Sequence, residues 1–181
     1  MANAVFAVFL DRDGTLNDDP GYINHPDQLK LLPGVGEALA SLAQAGYRLV
    51  VVSNQSGVGR GLIKPEAIPL INERLQSLLK PFGVRIDHFE LCFHHPDDKC
   101  ACRKPSPQMI QNGARHLGVQ LSGSVMVGDR RSDLEAGRSA GCGSVILVRT
   151  GDGEKTSGEI SGADADFVAK DLAEAARWIL R

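Results

Sequence analysis

Short apolar runs rich in valine and isoleucine alternate along this chain with segments whose apolar residues recur at helical spacing, and each run stops at Gly, Asn or Asp. That alternation is the pattern of β-α units around a largely parallel sheet. Val5 to Leu10, Leu49 to Val52, Ile86 to Cys92, Ser124 to Val127 and Ser144 to Val148 are the expected strands, apolar on consecutive positions as strands covered on both faces must be. Between them, Val35, Ala38, Leu39 and Leu42 form one helical stripe ending at Gly46, and Ile68, Ile71, Leu75, Leu78 and Leu79 form a second, begun near Pro65 and stopped by Pro81. Ser106-Pro107 reads as an N-cap and first helical position leading to Ile110, Gly113, Ala114 and Leu117. A short helix is expected from Ser132 to Ala140, and a terminal one capped by Asp171 with Leu172, Ala175, Ala176 and Ile179 inward. Gly151 to Asp164 has no periodicity and reads as a surface segment. The expected fold is α/β, a doubly wound, mostly parallel sheet without a separate cap domain.

A chain of 181 residues has the length of one domain, so residues 1–181 are expected to fold as a unit. Twenty basic residues against 22 acidic ones leave no basic surplus, which excludes general affinity for nucleic acid or anionic membrane and makes any phosphate recognition local. No apolar run approaches the roughly 18 residues that span a bilayer, and no basic segment precedes a signal-like core. The expectation is a cytoplasmic monomer.

In doubly wound sheets ligands bind outside the carboxyl ends of the strands, so the residues just after each strand matter most. The first strand ends in Asp11-Arg12-Asp13-Gly14-Thr15, two carboxylates at a tip where Gly14 lets the backbone turn. One such group can serve as nucleophile and its neighbour as acid. The second ends in Ser53-Asn54-Gln55-Ser56-Gly57, a donor-rich cradle for phosphate oxygens, with Arg60 nearby. Arg103 and Lys104 stand just before a helix start, and the fourth strand ends in Gly128-Asp129-Arg130-Arg131-Ser132-Asp133. Acids from two strands, a hydroxyl from a third and a lysine from a loop serve phosphoryl transfer with Mg2+. Neither a Gly-x-x-x-x-Gly-Lys-Ser/Thr loop nor a Gly-x-Gly-x-x-Gly after the first strand is present, which sets the nucleotide-binding alternatives aside.

Three of the four cysteines, at 92, 100 and 102, fall within eleven positions beside His94 and His95. Cys-x-His and Cys-x-Cys supply the four ligands of a closed, structural zinc site, with either histidine able to complete it on spacing alone. Cys142 reads as a small core residue. His25, His88 and His116 have no partner pattern, and Trp178 belongs to the terminal helix.

Asp11 to Thr15, Ser53-Asn54, Lys104 and Gly128 to Asp133, in that order and across about two thirds of the chain, resemble the four motifs of the haloacid dehalogenase-like (HAD) phosphohydrolase superfamily. The resemblance implies that Asp11 attacks phosphorus to give an aspartyl-phosphate, that Asp13 protonates the leaving oxygen and then activates water, and that Ser53 and Lys104 hold the phosphoryl group. It places Mg2+ between Asp11, the Asp13 backbone carbonyl and Asp129, with Asp133 in support. Asp18 to Tyr22, Ser53 to Gly57 with Arg60-Gly61, and His94-His95-Pro96 are similar to the heptose-bisphosphate phosphatase branch, whose members remove the 7-phosphate of a D-glycero-D-manno-heptose 1,7-bisphosphate bound for bacterial lipopolysaccharide. By that resemblance the phosphorylated sugar lies against Asp19, Pro20, Gly21 and Tyr22 and against Ser53, Asn54, Gln55 and Ser56, with Arg103 and Arg130 reading it. It also names His94 as the zinc ligand, in a loop of residues 92–102. Two positions depart from the branch: Ser53 stands where Thr is usual and Arg130 where Lys is usual, the second altering geometry at constant charge. The runner-up is the histidinol-phosphate phosphatase branch, which usually has Asp at the position of Ser56 and lacks the Arg-Gly at 60 and 61.

Overall fold

Six strands hydrogen-bond into one sheet in a computed structural model that describes residues 4–181. They are β1 (Ala7–Leu10), β2 (Arg48–Asn54), β3 (His88–Cys92), β4 (Val125–Gly128), β5 (Ser144–Val148) and β6 (Phe167–Ala169), in the spatial order β3-β2-β1-β4-β5-β6. Every pairing is parallel. The helices are α1 (Val35–Gln44), α2 (Ser56–Gly59), α3 (Ala67–Leu79), α4 (Gln108–Leu117), α5 (Arg131–Ala140), α6 (Gly153–Glu159) and α7 (Leu172–Ile179).

The consecutive apolar residues of the strands are explained by two cores. Alternation sends Val8, Leu10, Leu49, Val51, Val127 and Ile146 to one face, where α1, α3 and α7 press Leu39, Leu42, Ile71, Leu75 and Leu172 onto them. Ala7, Phe9, Val50, Val52, Met126 and Leu147 go to the other face, under Met109 and Ile110 of α4 and Leu134 of α5. Each fully buried Leu, Val or Phe stabilises the fold by about 1.5–3 kcal/mol. Cys142 is buried in the second core, as its place beside the last long strand suggests. Trp178 stacks on Phe167 with centroids 5.6 Å apart.

Several boundaries differ from the sequence reading. β1 starts at Ala7, and Val5 is exposed. β3 starts at His88 because the Gln76 side chain takes both the N–H and the carbonyl of Ile86, at 3.0 Å each, in place of a neighbouring strand. α4 is assigned from Gln108, yet Ser106 Oγ accepts the Gln108 N–H at 3.3 Å, so the expected cap is made. The Asp171 carboxylate caps α7 through the Glu174 N–H. Gly151 to Asp164 holds α6, contrary to its lack of pattern.

β1 lies between β2 and β4, and strand order reverses beside it, which makes its tip the topological switch point. Leu10 is in register with both Val51 and Val127, so the residues following β1, β2 and β4 emerge together at one sheet edge.

Candidate active site

Asp11 continues β1, its N–H donating to Val127 O at 3.0 Å, and its carboxylate is buried. Lys104, also buried, reaches it from the loop before α4: Nζ lies 2.7 Å from Asp11 Oδ1, 2.7 Å from Asp133 Oδ1 and 2.7 Å from the Val52 carbonyl. The Lys104 backbone is pinned to β2, since Asn54 Oδ1 accepts its N–H at 3.0 Å and Asn54 Nδ2 donates to its carbonyl at 3.1 Å. Asp133, in the first turn of α5, accepts the Arg130 N–H at 3.0 Å through its other oxygen.

Asp129 completes the acidic cluster. Ligand oxygens of Asp11, Asp129 and Asp133 lie within 4.8 Å of one another, and all three residues are buried. Asp129 Oδ2 accepts the Asp152 N–H at 2.8 Å, while Oδ1 has no partner among the described residues. Gly14, at φ +85°, gives this carboxylate its room: a Cβ there would sit 2.4 Å from Asp129 Oδ2. Three carboxylates facing one ammonium leave two negative charges uncompensated, the charge and the hard-oxygen chemistry that a divalent cation satisfies.

The carboxyls register that crowding. Burial raises Asp11 to about 6 against the opposing pull of Lys104, with repulsion from Asp133 adding to the rise. Burial, then the charges of Asp11 and Asp133, raises Asp129 to about 8. Burial works against the Lys104 charge, yet Asp11 and Asp133 outweigh it and hold the ammonium above its ordinary value.

These groups form the floor of an open pocket of about 440 Å3. Of the residues named from sequence, Asp11, Asp13, Asp19, Gly21, Tyr22, Ser53, Asn54, Gln55, Ser56, Arg103, Lys104 and Arg130 line it. Pro20 does not, and Asp129 lies beneath, in the acidic cluster. Arg130 bridges the mouth, with Nη2 3.0 Å from Asp19 and Nε 3.0 Å from Asp152. Asp133 lines it too, as do Gly57 and Ser132, which belong to the quoted motifs, and Ile63, which no sequence signal marks.

On the neighbouring loop, the Sγ atoms of Cys92, Cys100 and Cys102 and Nδ1 of His94 converge. Cys92 Sγ is 3.6 Å from Cys100 Sγ and from His94 Nδ1, and Cys102 Sγ is 3.7 Å from Cys100 Sγ and 3.3 Å from His94 Nδ1. Sulfurs about 2.3 Å from a tetrahedral zinc stand about 3.8 Å apart, whereas a disulfide needs about 2.05 Å. The cluster is thus of zinc size. His95 is turned away, its Nδ1 accepting the Asp97 N–H at 3.2 Å, and it is His94 that stands among the sulfurs. Burial, with the adjacent Cys102 thiol, pushes Cys92 up to about 12, a proton that a metal bound here would have to displace.

Comparison with known proteins places this geometry. The HAD-hydrolase-like family matches residues 101–175. Over 181 aligned residues, covering 96% of this chain and 95% of the relative, the sequence is 39% identical to D-glycero-beta-D-manno-heptose-1,7-bisphosphate 7-phosphatase of Yersinia pestis. The chain belongs to the heptose-1,7-bisphosphate 7-phosphatase family. A crystal structure of the family member from B. bronchiseptica, complexed with magnesium and phosphate, superposes with a TM-score of 0.91 at 39% identity, covering 97% of this chain and 98% of that one. The D,D-heptose 1,7-bisphosphate phosphatase from Burkholderia thailandensis gives 0.73 at 33% identity, covering 97% and 98%.

The crowding of the acidic cluster makes stability depend on pH. Both Asp11 and Asp129 hold protons more tightly folded than at their ordinary value of 3.8. Their contribution to stability is therefore present at acid pH and lost as pH rises through about 6 and then about 8. In divalent-free buffer, thermal unfolding at pH 5.5 and 8.5 is expected to differ by on the order of a few kcal/mol from this source. Adding a hard divalent cation should stabilise the protein more at the higher pH, and Asp129→Asn should flatten the slope. An unchanged slope in that variant would refute the assignment.

Proposed function

We propose that this chain is a phosphomonoesterase that removes the 7-phosphate of D-glycero-β-D-manno-heptose 1,7-bisphosphate through an aspartyl-phosphate on Asp11. The observation that carries this reading is a buried carboxylate, Asp11, paired with Lys104 on the floor of a pocket, in a chain 39% identical over nearly its whole length to an enzyme named for that reaction.

Asp11 attacks phosphorus in line with the leaving O7, and Asp13 hands that oxygen a proton. Water then attacks the aspartyl-phosphate while Asp13 takes its proton, releasing inorganic phosphate and restoring Asp11. Lys104 keeps its charge through both steps, because Asp11 and Asp133 hold the ammonium protonated, and with the Ser53 hydroxyl it binds the phosphoryl oxygens. Mg2+, held by Asp11, Asp129 and the Asp13 backbone carbonyl with Asp133 in support, would neutralise phosphoryl charge and relieve the repulsion among these carboxylates. Asp19, Gly21, Tyr22, Ser53, Asn54, Ser56, Arg103 and Arg130 form the substrate wall; Arg130 exchanges its bond to Asp19 for the sugar phosphate. Cys92, His94, Cys100 and Cys102 would hold a zinc whose role is structural, since four protein side chains satisfy it.

A sugar bisphosphate carries about three to four negative charges at pH 7 and does not cross bilayers, which supports a cytoplasmic enzyme working where its substrate is made. Among the described residues no helix is long and apolar enough to cross a membrane. One continuous sheet with a core on each face supports a single-domain chain.

Phosphate release is the direct test. Heptose 1,7-bisphosphate should be hydrolysed at least about tenfold faster, in kcat/KM, than histidinol phosphate, a discrimination of roughly 1.4 kcal/mol. Faster turnover of histidinol phosphate would overturn the substrate assignment while leaving the phosphatase chemistry in place.

A further inference from the structure

Next to Asp11 lies a buried network that the chemistry of the nucleophile alone does not require. Arg12 is fully buried, and its partners are few. Nε and Nη2 donate to the two Asp13 carboxylate oxygens at 3.1 and 3.0 Å, and Nη2 also donates to Gln55 Oε1 at 3.1 Å. Gln55 Nε2 in turn donates to Asp13 Oδ2 at 2.7 Å and to Ser53 Oγ at 2.8 Å. Asn17 Nδ2 supports the same carboxylate at 2.9 Å.

The orientation of the Gln55 amide follows from donor and acceptor chemistry. A guanidinium only donates, so Oε1 must face Arg12, and Nε2 is thereby turned to Asp13 Oδ2 whichever protonation state that carboxyl passes through. Turned over, the amide would set its own N–H groups against those of Arg12. Both N–H groups are then spent, one on Asp13 and one on Ser53. Because the Ser53 oxygen already accepts from Gln55, its own hydrogen is left to donate into the pocket, where a phosphoryl oxygen would lie. Arg12 adds little to stability by pairing in the interior, since desolvation offsets most of such a bond. Its burial is explained by what it holds.

We propose that Gln55 is a positioning residue that ties the Asp13 carboxylate to the Ser53 hydroxyl, with Arg12 fixing the direction of its amide. The proposal rests on the functional reading above. Gln55 then acts on the reaction through two other side chains: it sets where the proton is delivered and which way the phosphoryl-binding hydroxyl points.

The test uses the full-length holoenzyme with Gln55→Leu, which removes all three bonds, and Gln55→Glu, which keeps the length and the Arg12 contact but replaces both donors by acceptors. The second keeps the question answerable if the first does not fold. On heptose bisphosphate each variant should lose on the order of 100-fold in kcat with KM changed less than about threefold, the size of a displaced acid–base group. p-Nitrophenyl phosphate, whose leaving group needs no proton, should be cleaved fast in the first step and then stall. A burst of nitrophenolate close to one equivalent per enzyme is expected, followed by slow turnover. A raised KM at unchanged kcat would overturn the proposal in favour of direct substrate contact. Equal loss on both esters without a burst would overturn it in favour of a purely structural role. If the unaltered enzyme hydrolyses neither ester, the functional reading itself fails.

Discussion

Asp11→Asn is expected to abolish turnover of heptose bisphosphate, by on the order of 10⁴-fold or more, while the protein becomes no less stable. An amide of nearly the same shape cannot attack phosphorus, and no second carboxylate is placed to substitute: Asp13 is held by Arg12, Asn17 and Gln55, and Asp133 by Lys104 and the Arg130 N–H. Lys104 would keep Asp133 and the Val52 carbonyl, so its charge stays compensated. The substitution also removes one of three mutually repelling buried carboxylates, one whose proton affinity burial has already raised. Above pH 6 in divalent-free buffer the variant should therefore unfold at a temperature equal to or higher than the parent. Phosphate release and thermal unfolding on the same preparation check both halves. Turnover within tenfold of the parent would remove Asp11 as the nucleophile.

The opposed movement of activity and stability reflects how the site is built. Lys104, Asp129 and Asp133 come from separate parts of the chain and are brought to β1 because β2 and β4 flank it in register. That convergence was legible in the sequence, since buried parallel strands end in polar residues at the binding edge and nowhere else. The zinc loop was legible for a similar reason: few residue types bind zinc, and the short spacings of Cys92, His94, Cys100 and Cys102 leave little freedom. The choice of His94 over His95 was not, because it depends on which ring turns to cap the short helical turn at Pro96–Asp98.

What escaped the sequence escaped for physical causes. α6 carries Gly153, Glu154, Lys155, Thr156, Ser157, Gly158 and Glu159, with only Gly153 and Thr156 buried, so no apolar stripe marks it. β6 is three residues long, too short for a period to show, and is recognised only by its pairing to β5. Arg12 sits between two acids in a loop motif, where nothing in the local pattern marks it for burial. Only the folded arrangement, with Asp13 and Gln55 closing over it, reveals that it is wholly buried.

Cys102→Ser is expected to lower zinc content well below one equivalent and activity by on the order of 100-fold together, although no zinc ligand touches the pocket floor. The zinc loop meets the site at both of its ends. At one end the Cys92 carbonyl accepts the Gln55 N–H at 2.7 Å, fixing the backbone that carries Ser53 and Gln55. At the other, Cys102 is followed directly by Arg103 and Lys104, and the Lys104 ammonium must reach three oxygens at 2.7 Å each. Between these ends the loop packs against the backbone of α2 so closely that a Cβ on Gly59 would lie 2.5 Å from the His95 nitrogen. The loop contributes Cys92 to the core and rests Cys100 and Cys102 against it, so the side chains that anchor it are the zinc ligands themselves, and without the metal its ends are left tied to β2 by the Gln55–Cys92 and Asn54–Lys104 hydrogen bonds. A shift of about 1 Å in a positioned group costs on the order of 100-fold in rate. Zinc measured by atomic emission and turnover measured on the same sample should fall in proportion, with the far-ultraviolet circular dichroism of the sheet and helices retained. Full activity in a zinc-free preparation would show that Lys104 is held by its own three bonds and that the metal is dispensable to the site.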